Sequence, residues 1–344
     1  MNNKEKMFAA LANDNAARWF LKTPDRTSTA FVEYVEWVNS SRKLDYGCIL
    51  DGNLTPPLPG DYITVMARPG HKKSTFMAAL AKRYALQINE TGATDEVVIY
   101  ATWDEAIENV EAYITAGVAG FNAGDVAWGN LPTDTARRSA IQRVGKLSPL
   151  WIWGKSLMDN QHDKPPFTAD WLFKTVQAAH QQYKIKVKAL FLDYLQIIPV
   201  PKDGSRTDTV TAASRAAKDL AKEIGCPVFA GVQAGRDVDR TADKVPGWSD
   251  AQHASAIEQD STKQLALMNP IKVLDPTEAR MLREGQLIDP QNVAGKDYQI
   301  DENLTVVRIL KQRGAVGSGT FAIGINQNTL DIYDPQPLNT VILE

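Results

Sequence analysis

The amino-acid sequence predicts an α/β fold with a mostly parallel, twisted sheet, and three observations support this prediction. From Tyr62 onward, short β-branched and apolar runs alternate with stretches of helical periodicity, which is the signature of a parallel sheet. The run Val187–Asp193 is largely apolar, as expected of a strand buried on both faces. Val210–Ile224 repeats its apolar residues at helical spacing. A chain of 344 residues has room for one or two domains of this kind.

The alternation gives a specific set of elements. The expected strands are Tyr62–Met66, Glu96–Ala101, Val187–Asp193, Pro227–Val232, Gln264–Met268 and Thr305–Lys311. Two further strands, Thr320–Ile325 and Thr329–Tyr333, are expected to form a closing antiparallel hairpin across Asn326–Asn328. A helix is expected over Ser74–Gln87, directly after the first strand. The stretch 133–170 is rich in Pro and Trp, and its pattern favours no particular element.

The chain divides into three parts by composition. Residues 1–45 form an N-terminal segment with helical periodicity over Glu5–Leu21 and Thr29–Val38, the second capped by Thr29. The turn-rich stretch Asp51–Gly60 leads into a core expected to span 46–335, and 336–344 is expected to be a tail. An amphipathic helix of this length must dock on something, because it is marginal in isolation.

Composition excludes several classes of protein. The net charge is −3, so no global basic field attracts nucleic acid, and any such contact depends on local Lys and Arg. Four His and two Cys provide neither a zinc ligand set nor a disulfide framework. The N-terminus lacks the apolar stretch of a secretory signal, and no apolar run reaches membrane-spanning length. We therefore expect a cytoplasmic protein with no membrane partner.

The stretch Asp61–Phe76 carries the parts of a phosphate-binding loop. A short strand feeds a Pro/Gly turn, and Lys-Ser-Thr opens a helix, as in P-loops. The expected contacts with the phosphates of a nucleotide come from consecutive residues of this turn: Arg68, Pro69, Gly70, His71, Lys72, Lys73, Ser74 and Thr75. Both glycines of the usual pattern are replaced, by Ala67 and Lys72. Lys adopts a left-handed backbone at a cost of ~1 kcal/mol. The loop therefore indicates nucleotide binding more strongly than it indicates hydrolysis.

Asp193 ends a buried strand about 120 residues later. Ligands of open α/β sheets bind at the carboxyl ends of the strands, and a carboxylate there is placed to hold Mg²⁺ together with the Ser74 hydroxyl. The alternative is an Asp that only caps the following turn.

Six motifs in order resemble the motor domain of DnaB-type replicative ring helicases. They are Ala67–Phe76, Phe191-Leu192-Asp193-Tyr194-Leu195-Gln196, Ala221–Val228, Gln233, Ser255–Asp260 and Lys311-Gln312-Arg313-Gly314. The resemblance runs from about Leu44 to Tyr333. It implies a RecA-like P-loop NTPase core, ATP and Mg²⁺ as cofactors, and an ATP-dependent helicase that moves on single-stranded DNA as a hexameric ring. Few residues precede the motifs, so the separate primase-contacting domain of full-length members is expected to be absent.

The resemblance also assigns roles to individual residues. Asp104 matches the family's water-polarising Glu, with Glu105 next to it, and Gln233 matches the γ-phosphate sensor. Lys311 and Arg313 match a hairpin that reaches the neighbouring subunit's ATP site, where the planar fork of Arg suits two phosphate oxygens. The linker helix Thr29–Val38 would pack on a neighbouring subunit, or else on its own domain. A helicase loader or a primase would be a further partner.

Single-stranded DNA is expected to bind two loops that follow adjacent strands. The first, Pro201–Asp208, carries Lys202 and Arg206, and the second, Arg236–His253, carries Arg236, Arg240 and Lys244. These cations would neutralise the DNA backbone without reading bases, whereas the ordinary alternative is a solvated loop charge.

Two other functions fit the same fold. A non-hydrolysing relative that binds nucleotide or DNA as a regulatory or structural ring component is favoured by Lys72 in the phosphate loop. A recombinase-type filament ATPase shares the core, but Lys311-Gln312-Arg313 and Ile257–Asp260 argue against it.

Overall fold

The structure of the protein is a computed structural model. It describes residues 44–127, 142–158, 167–199, 205–251, 255–313 and 318–338, together with Val32, Val35, Glu36 and Arg138. Contacts divide the chain into two compact units, Met1–Lys43 and Leu44–Glu344. In the first unit, Val32, Val35 and Glu36 are helical and exposed, and the rest of the expected N-terminal helices lies outside the described residues.

The second unit is built on a nine-stranded sheet with a separate small hairpin. The strands are β1 Tyr62–Ala67, β2 Glu96–Thr102, β3 Leu150–Trp153, β4 Lys186–Asp193, β5 Val228–Gln233, β6 Lys263–Met268, β7 Gln291–Val293, β8 Lys296–Tyr298, β9 Leu304–Gln312, β10 Gly319–Ile325 and β11 Ile332–Tyr333. Six strands run parallel in the order β6-β1-β5-β4-β2-β3. On the β6 side, β9, β10 and β11 each run antiparallel to the strand before. The predicted mostly parallel α/β fold is confirmed.

Helices connect the strands on both faces of the sheet. The helices of this unit whose bounds are described are α1 Lys73–Thr91, α2 Ile107–Ala119, α3 Ala123–Ala127, α4 Ala169–Tyr183, α5 Arg206–Ile224, α6 Ser255–Asp260 and α7 Pro276–Arg283. Residues 142–144 and Arg138 are helical as well. None of the helices within the described part of the chain is both long and apolar enough to cross a membrane.

The core has two layers, one on each face of the sheet. Alternate residues of β1 face opposite sides, so Tyr62 and Met66 pack in one layer while Ile63 and Val65 pack in the other. Helix α5 covers the first layer and helix α1 the second. Because both faces are covered, the central strands are apolar without alternation, which explains the sequence signal.

Several elements differ from the sequence prediction in extent. Helix α5 begins at Arg206 rather than Val210, because Ser205 and Asp208 form a reciprocal capping box at its start. Strand β11 covers only Ile332–Tyr333, because Asn326 accepts backbone hydrogen bonds from Asn328 and Thr329 and holds a turn over most of the predicted strand. Strand β3, the β7–β8 hairpin and helices α2, α3, α4, α6 and α7 were not predicted individually.

Candidate nucleotide-binding site

The phosphate loop joins β1 to α1 at the carboxyl edge of the parallel strands. Ala67 ends β1 beside Gln233 of β5 and Leu267 of β6. The turn then passes through two left-handed residues, Gly70 at φ 78° and Lys72 at φ 63°. Helix α1 starts at Lys73, so its free N–H groups face the turn, as at an anion-binding helix N-terminus.

Lys73 and Asp193 meet at the base of the site. The Lys73 Nζ atom donates to Asp193 Oδ1 at 2.8 Å, and the Tyr100 hydroxyl donates to the other carboxylate oxygen at 2.9 Å. Lys73 also lies over the Tyr194 ring, 4.1 Å from its centroid. On β5, the absence of a side chain at Gly231 makes room for this lysine, since a Cβ there would lie 3.1 Å from its Cδ and Nζ atoms. Two residues predicted from separate motifs are therefore in direct contact.

Lys72 is buried and directed away from open solvent. Its ammonium donates to the backbone carbonyl of Glu302, in the turn before β9. Loss of solvation lowers the pKa of Lys72 to about 8, although the charges of Asp301 and Glu302 oppose this shift. The lysine that replaces the usual glycine thus adopts the left-handed backbone and fastens the loop to a distant turn.

His71 lies beneath the loop rather than on the cavity wall. It is buried, and its Nδ1 atom accepts the backbone N–H of Asn269 at 3.1 Å. Burial first, then the positive charge of Arg68, lowers the pKa of His71, with Asp239 opposing. A neutral ring is required for this bond, because Nδ1 must keep its lone pair.

The acidic pair after β2 borders the same cavity. Asp104 and Glu105 are both exposed, and the Glu105 backbone is held by Thr102, whose hydroxyl accepts its N–H at 3.1 Å. Partial burial raises the pKa of Glu105, and the negative charges of Asp193 and Asp104 raise it further, whereas the positive charge of Lys73 lowers it. Glu105 is therefore within electrostatic range of the Lys73–Asp193 pair.

Gln233 ends β5 at the cavity and is positioned by Gln196. The buried Gln196 side chain accepts the Gln233 N–H and donates to the Gln233 carbonyl, both at 3.1 Å. Gln196 comes from the turn after β4, so it ties together the carboxyl ends of two adjacent strands. Gln196 lies in a motif that the sequence shows, but the motif alone gives this residue no role.

These residues surround a cavity of about 640 Å³. The predicted residues on its wall are Arg68, Pro69, Gly70, Lys72, Lys73, Ser74, Thr75, Asp104, Glu105 and Gln233. Sequence reasoning missed Tyr113, Tyr194, Asn269, Lys272 and Gln327, which complete the wall. Tyr194 belongs to a recognised motif, although the motif alone gives it no role, whereas the others are brought to the site only by the fold.

Lys311 and Arg313 lie at the opposite edge of the sheet. In the antiparallel β6–β9 pairing, Lys311 lies beside Gln264, near the amino end of β6, whereas the phosphate loop lies at the carboxyl end of β1. Lys311 donates to the Glu258 carbonyl, and Arg313 donates to the Gln259 carbonyl at 3.3 Å. Within one chain they do not join the cavity.

The proposed DNA loops are partly described. Lys202 lies outside the described residues. Arg206 is the first residue of helix α5 rather than part of a loop, as a consequence of the Ser205 cap. Arg236 and Arg240 lie on a 3₁₀ turn, Arg236–Arg240, and the Lys244 ammonium donates to the Asp239 carbonyl.

The fold and this cavity define the class of protein, a RecA-like P-loop NTPase core. Residues 49–314 match the family model of the DnaB-like helicase C terminal domain, and the chain belongs to that family. The resemblance recognised in the sequence is thereby confirmed.

Relatives and solved structures agree with this assignment. The replicative DNA helicase DnaB of Leifsonia xyli is 30% identical over 206 residues, 59% of this chain and 41% of the relative. The replicative DNA helicase DnaC of Bacillus subtilis is 28% identical over 204 residues, 58% and 41% of the two chains. The aligned part is thus about two-fifths of the length of these curated relatives. One solved ATPase domain has a TM-score of 0.67 at 18% identity, with 92% of this chain and 100% of that chain covered. A DnaB-like replicative helicase studied with primase scores 0.66 at 19% identity, with 92% and 68% covered. Both structures show the same fold.

Proposed function

We propose that this chain is an ATP-dependent DNA helicase motor that moves on single-stranded DNA as a hexameric ring, with ATP bound between subunits. The observation that carries the proposal is the contact at 2.8 Å between Lys73, which lies on the wall of the cavity, and the buried carboxylate of Asp193. This contact joins the phosphate-binding ammonium to the carboxylate that P-loop enzymes use for Mg²⁺. Family membership and the agreement of the fold support it.

The residues present fit ATP and Mg²⁺. An ammonium, the N-terminal hydroxyls of α1 and the carboxylate of Asp193 are the donors and acceptors that a triphosphate and a hard cation need. Ser74 and Asp193 would hold Mg²⁺, which neutralises phosphate charge when bound. Lys73 would bind the β/γ-phosphates, and Asp104 or Glu105 would orient a water molecule and accept its proton.

Arg313 supports a site shared between subunits. Its guanidinium lies at the edge of the sheet opposite to the cavity and is bonded to a neutral carbonyl, so its charge remains available to a neighbouring chain. In that arrangement Arg313 of one subunit would stabilise the phosphate charge held by Lys73 of the next. A helicase loader and a primase would be further partners of such a ring.

The second candidate is a non-hydrolysing nucleotide-binding member of the family. Lys72 favours it, because the left-handed backbone at φ 63° stands where the P-loop pattern has glycine. This candidate predicts nucleotide binding without turnover.

ATP binding and ATP hydrolysis, measured with and without single-stranded DNA, test the proposal. Wild type should bind ATP with Mg²⁺ and hydrolyse it faster with DNA. Lys73→Ala should abolish binding, because it removes the charge aimed at the β/γ-phosphates. Lys174→Ala is the matched control, since Lys174 is an exposed helix lysine paired with Asp170 on its own helix. ATP binding by Lys73→Ala at wild-type affinity would refute the site, and binding without hydrolysis in wild type would select the second candidate.

A further inference from the structure

Arg68 connects the phosphate loop to the segment that follows β5. Its guanidinium makes a two-point contact with Asp239, Nε to Oδ1 at 3.0 Å and Nη2 to Oδ2 at 2.9 Å. The remaining nitrogen, Nη1, donates to the Ala234 carbonyl at 3.2 Å. The sequence predicted that Arg68 contacts phosphate, but these three bonds direct it toward residues 234–239.

Asp239 lies inside the segment 235–251, which we call the β5 segment. It belongs to the exposed 3₁₀ turn that carries Arg236 and Arg240. The β5 segment is closed at its base, where Gly235 donates its N–H to the Asp250 carbonyl at 2.7 Å. Asp239 does not line the nucleotide cavity. The Arg68–Asp239 pair is therefore a side-chain bridge from the cavity wall to the surface proposed for DNA.

The geometry of this pair distinguishes it from an ordinary surface ion pair. Exposed pairs contribute little to stability, because both side chains remain mobile and solvated. Arg68 is only 17% exposed, and its fork is fixed by two carboxylate oxygens and a carbonyl. Hydrogen bonding from Arg68 lowers the pKa of Asp239, so the carboxylate is ionised at neutral pH. A bidentate contact fixes orientation as well as distance.

The β5 segment contains a second ion pair that provides an internal comparison. Asp243 accepts a hydrogen bond from Arg308, on β9. Asp243 and Asp239 have similar exposure, 52% and 57%, and both hold the same segment to the body of the protein. Of these two pairs, the one formed by Asp239 reaches the phosphate loop.

We propose that the Arg68–Asp239 pair couples nucleotide binding to single-stranded DNA binding. A nucleotide that orders the phosphate loop fixes Arg68, and Arg68 in turn fixes the 3₁₀ turn that carries Arg236 and Arg240. DNA bound to that turn has the same effect in reverse, because coupling between two sites is reciprocal. Asp239 is thus a positioning residue. This inference rests on the proposed function, since it requires both ligands.

The experiment measures the affinity for a non-hydrolysable ATP analogue with Mg²⁺, with and without saturating oligo(dT). The ratio of the two dissociation constants is the coupling factor. We expect a factor above one in wild type. In Asp239→Asn we expect the coupling factor to fall toward one by about fivefold, which is the effect of losing a well-formed ion pair. Nucleotide affinity without DNA should stay within about twofold of wild type, because Asp239 is outside the cavity.

Asp243→Asn is the matched control and should keep the wild-type coupling factor. A purely structural role would make both variants lose coupling together, and that result would overturn the inference. A wild-type factor of one, or an unchanged factor in Asp239→Asn, would also overturn it while leaving the proposed function intact. Wild type that bound neither ligand would instead refute the proposed function. The factor compares two affinities of the same protein, so a moderate loss of folded protein does not mimic the effect.

Discussion

At Lys72 we expect a glycine variant to be more stable than an alanine variant, which is the reverse of the usual order. At most positions alanine is more stable than glycine, because glycine loses more backbone freedom on folding. Lys72 has φ 63°, a backbone that costs a residue with a Cβ about 1–2 kcal/mol and costs glycine almost nothing. Subtracting the entropic penalty of glycine, about 0.4–1 kcal/mol, leaves Lys72→Gly more stable than Lys72→Ala by about 1 kcal/mol.

Both variants also lose the hydrogen bond from Lys72 to the Glu302 carbonyl. Hydrogen bonds of charged groups contribute about 1.5–3 kcal/mol, and that loss is offset in part because a partly desolvated ammonium is removed. The carbonyl keeps one partner, since Gln327 donates to it at 2.7 Å. We therefore expect both variants to be less stable than wild type, with glycine the milder of the two.

Urea unfolding followed by circular dichroism measures these differences. The control is the same pair of substitutions at Lys174, within helix α4, where glycine should be less stable than alanine by about 1 kcal/mol. Opposite signs at Lys72 and Lys174 would establish the left-handed strain. If Lys72→Ala were as stable as Lys72→Gly, or more so, the reasoning would be wrong. Nucleotide binding should survive in Lys72→Gly, because the glycine restores close approach of the backbone to phosphate.

Three further predictions concern the site. Asp104→Asn should bind ATP and lose hydrolysis in a steady-state assay, whereas Glu105→Gln should keep most activity; the reverse result would move the role by one residue. Arg313→Ala should lose at least about 10³-fold in turnover, and mixing it with Lys73→Ala should restore some hydrolysis, because a mixed assembly contains interfaces in which both residues are intact. Full activity of Arg313→Ala, or a protein that stayed monomeric with ATP, Mg²⁺ and single-stranded DNA, would exclude a shared site. The pKa of His71 is lowered in the folded state. The contribution of its neutral ring to the free energy of unfolding is therefore fully present above the unfolded pKa of about 6.5 and is lost as pH falls through the folded pKa. Over this pH range the unfolding free energy of wild type should fall more steeply than that of His71→Gln. Equal slopes of unfolding free energy against pH for the two proteins would contradict this.

The sequence contained enough information for the centre of the sheet and for part of the site. Central strands such as β4 and β5 are buried on both faces, so an unbroken apolar run identifies them. Lys73 and Asp193 could be paired from sequence, because a helix after one strand and a carboxylate at the end of another converge at the same edge of the sheet.

The remainder depends on contacts that no local pattern encodes. Strand β3 is at the edge of the sheet and only half buried, so its pattern is weaker than that of a central strand. Lys72 finds its acceptor at Glu302, and Arg68 finds Asp239, across separations of 230 and 171 residues. A single sequence shows that these side chains are polar but does not reveal their partners.

The position of Lys73 and Arg313 at opposite edges of the sheet has a geometric consequence. If each ATP site takes one residue from each of two chains, the contact between them is head-to-tail, and it repeats by the same rotation at every step. When that rotation divides a full turn and brings no shift along its axis, the assembly closes, and every subunit has a complete site. When it does not, the same contact extends into a helical filament whose two end subunits each lack one half of a site. A ring and a filament would therefore differ in the rotation or the rise between neighbours and not in the residues that bind the nucleotide.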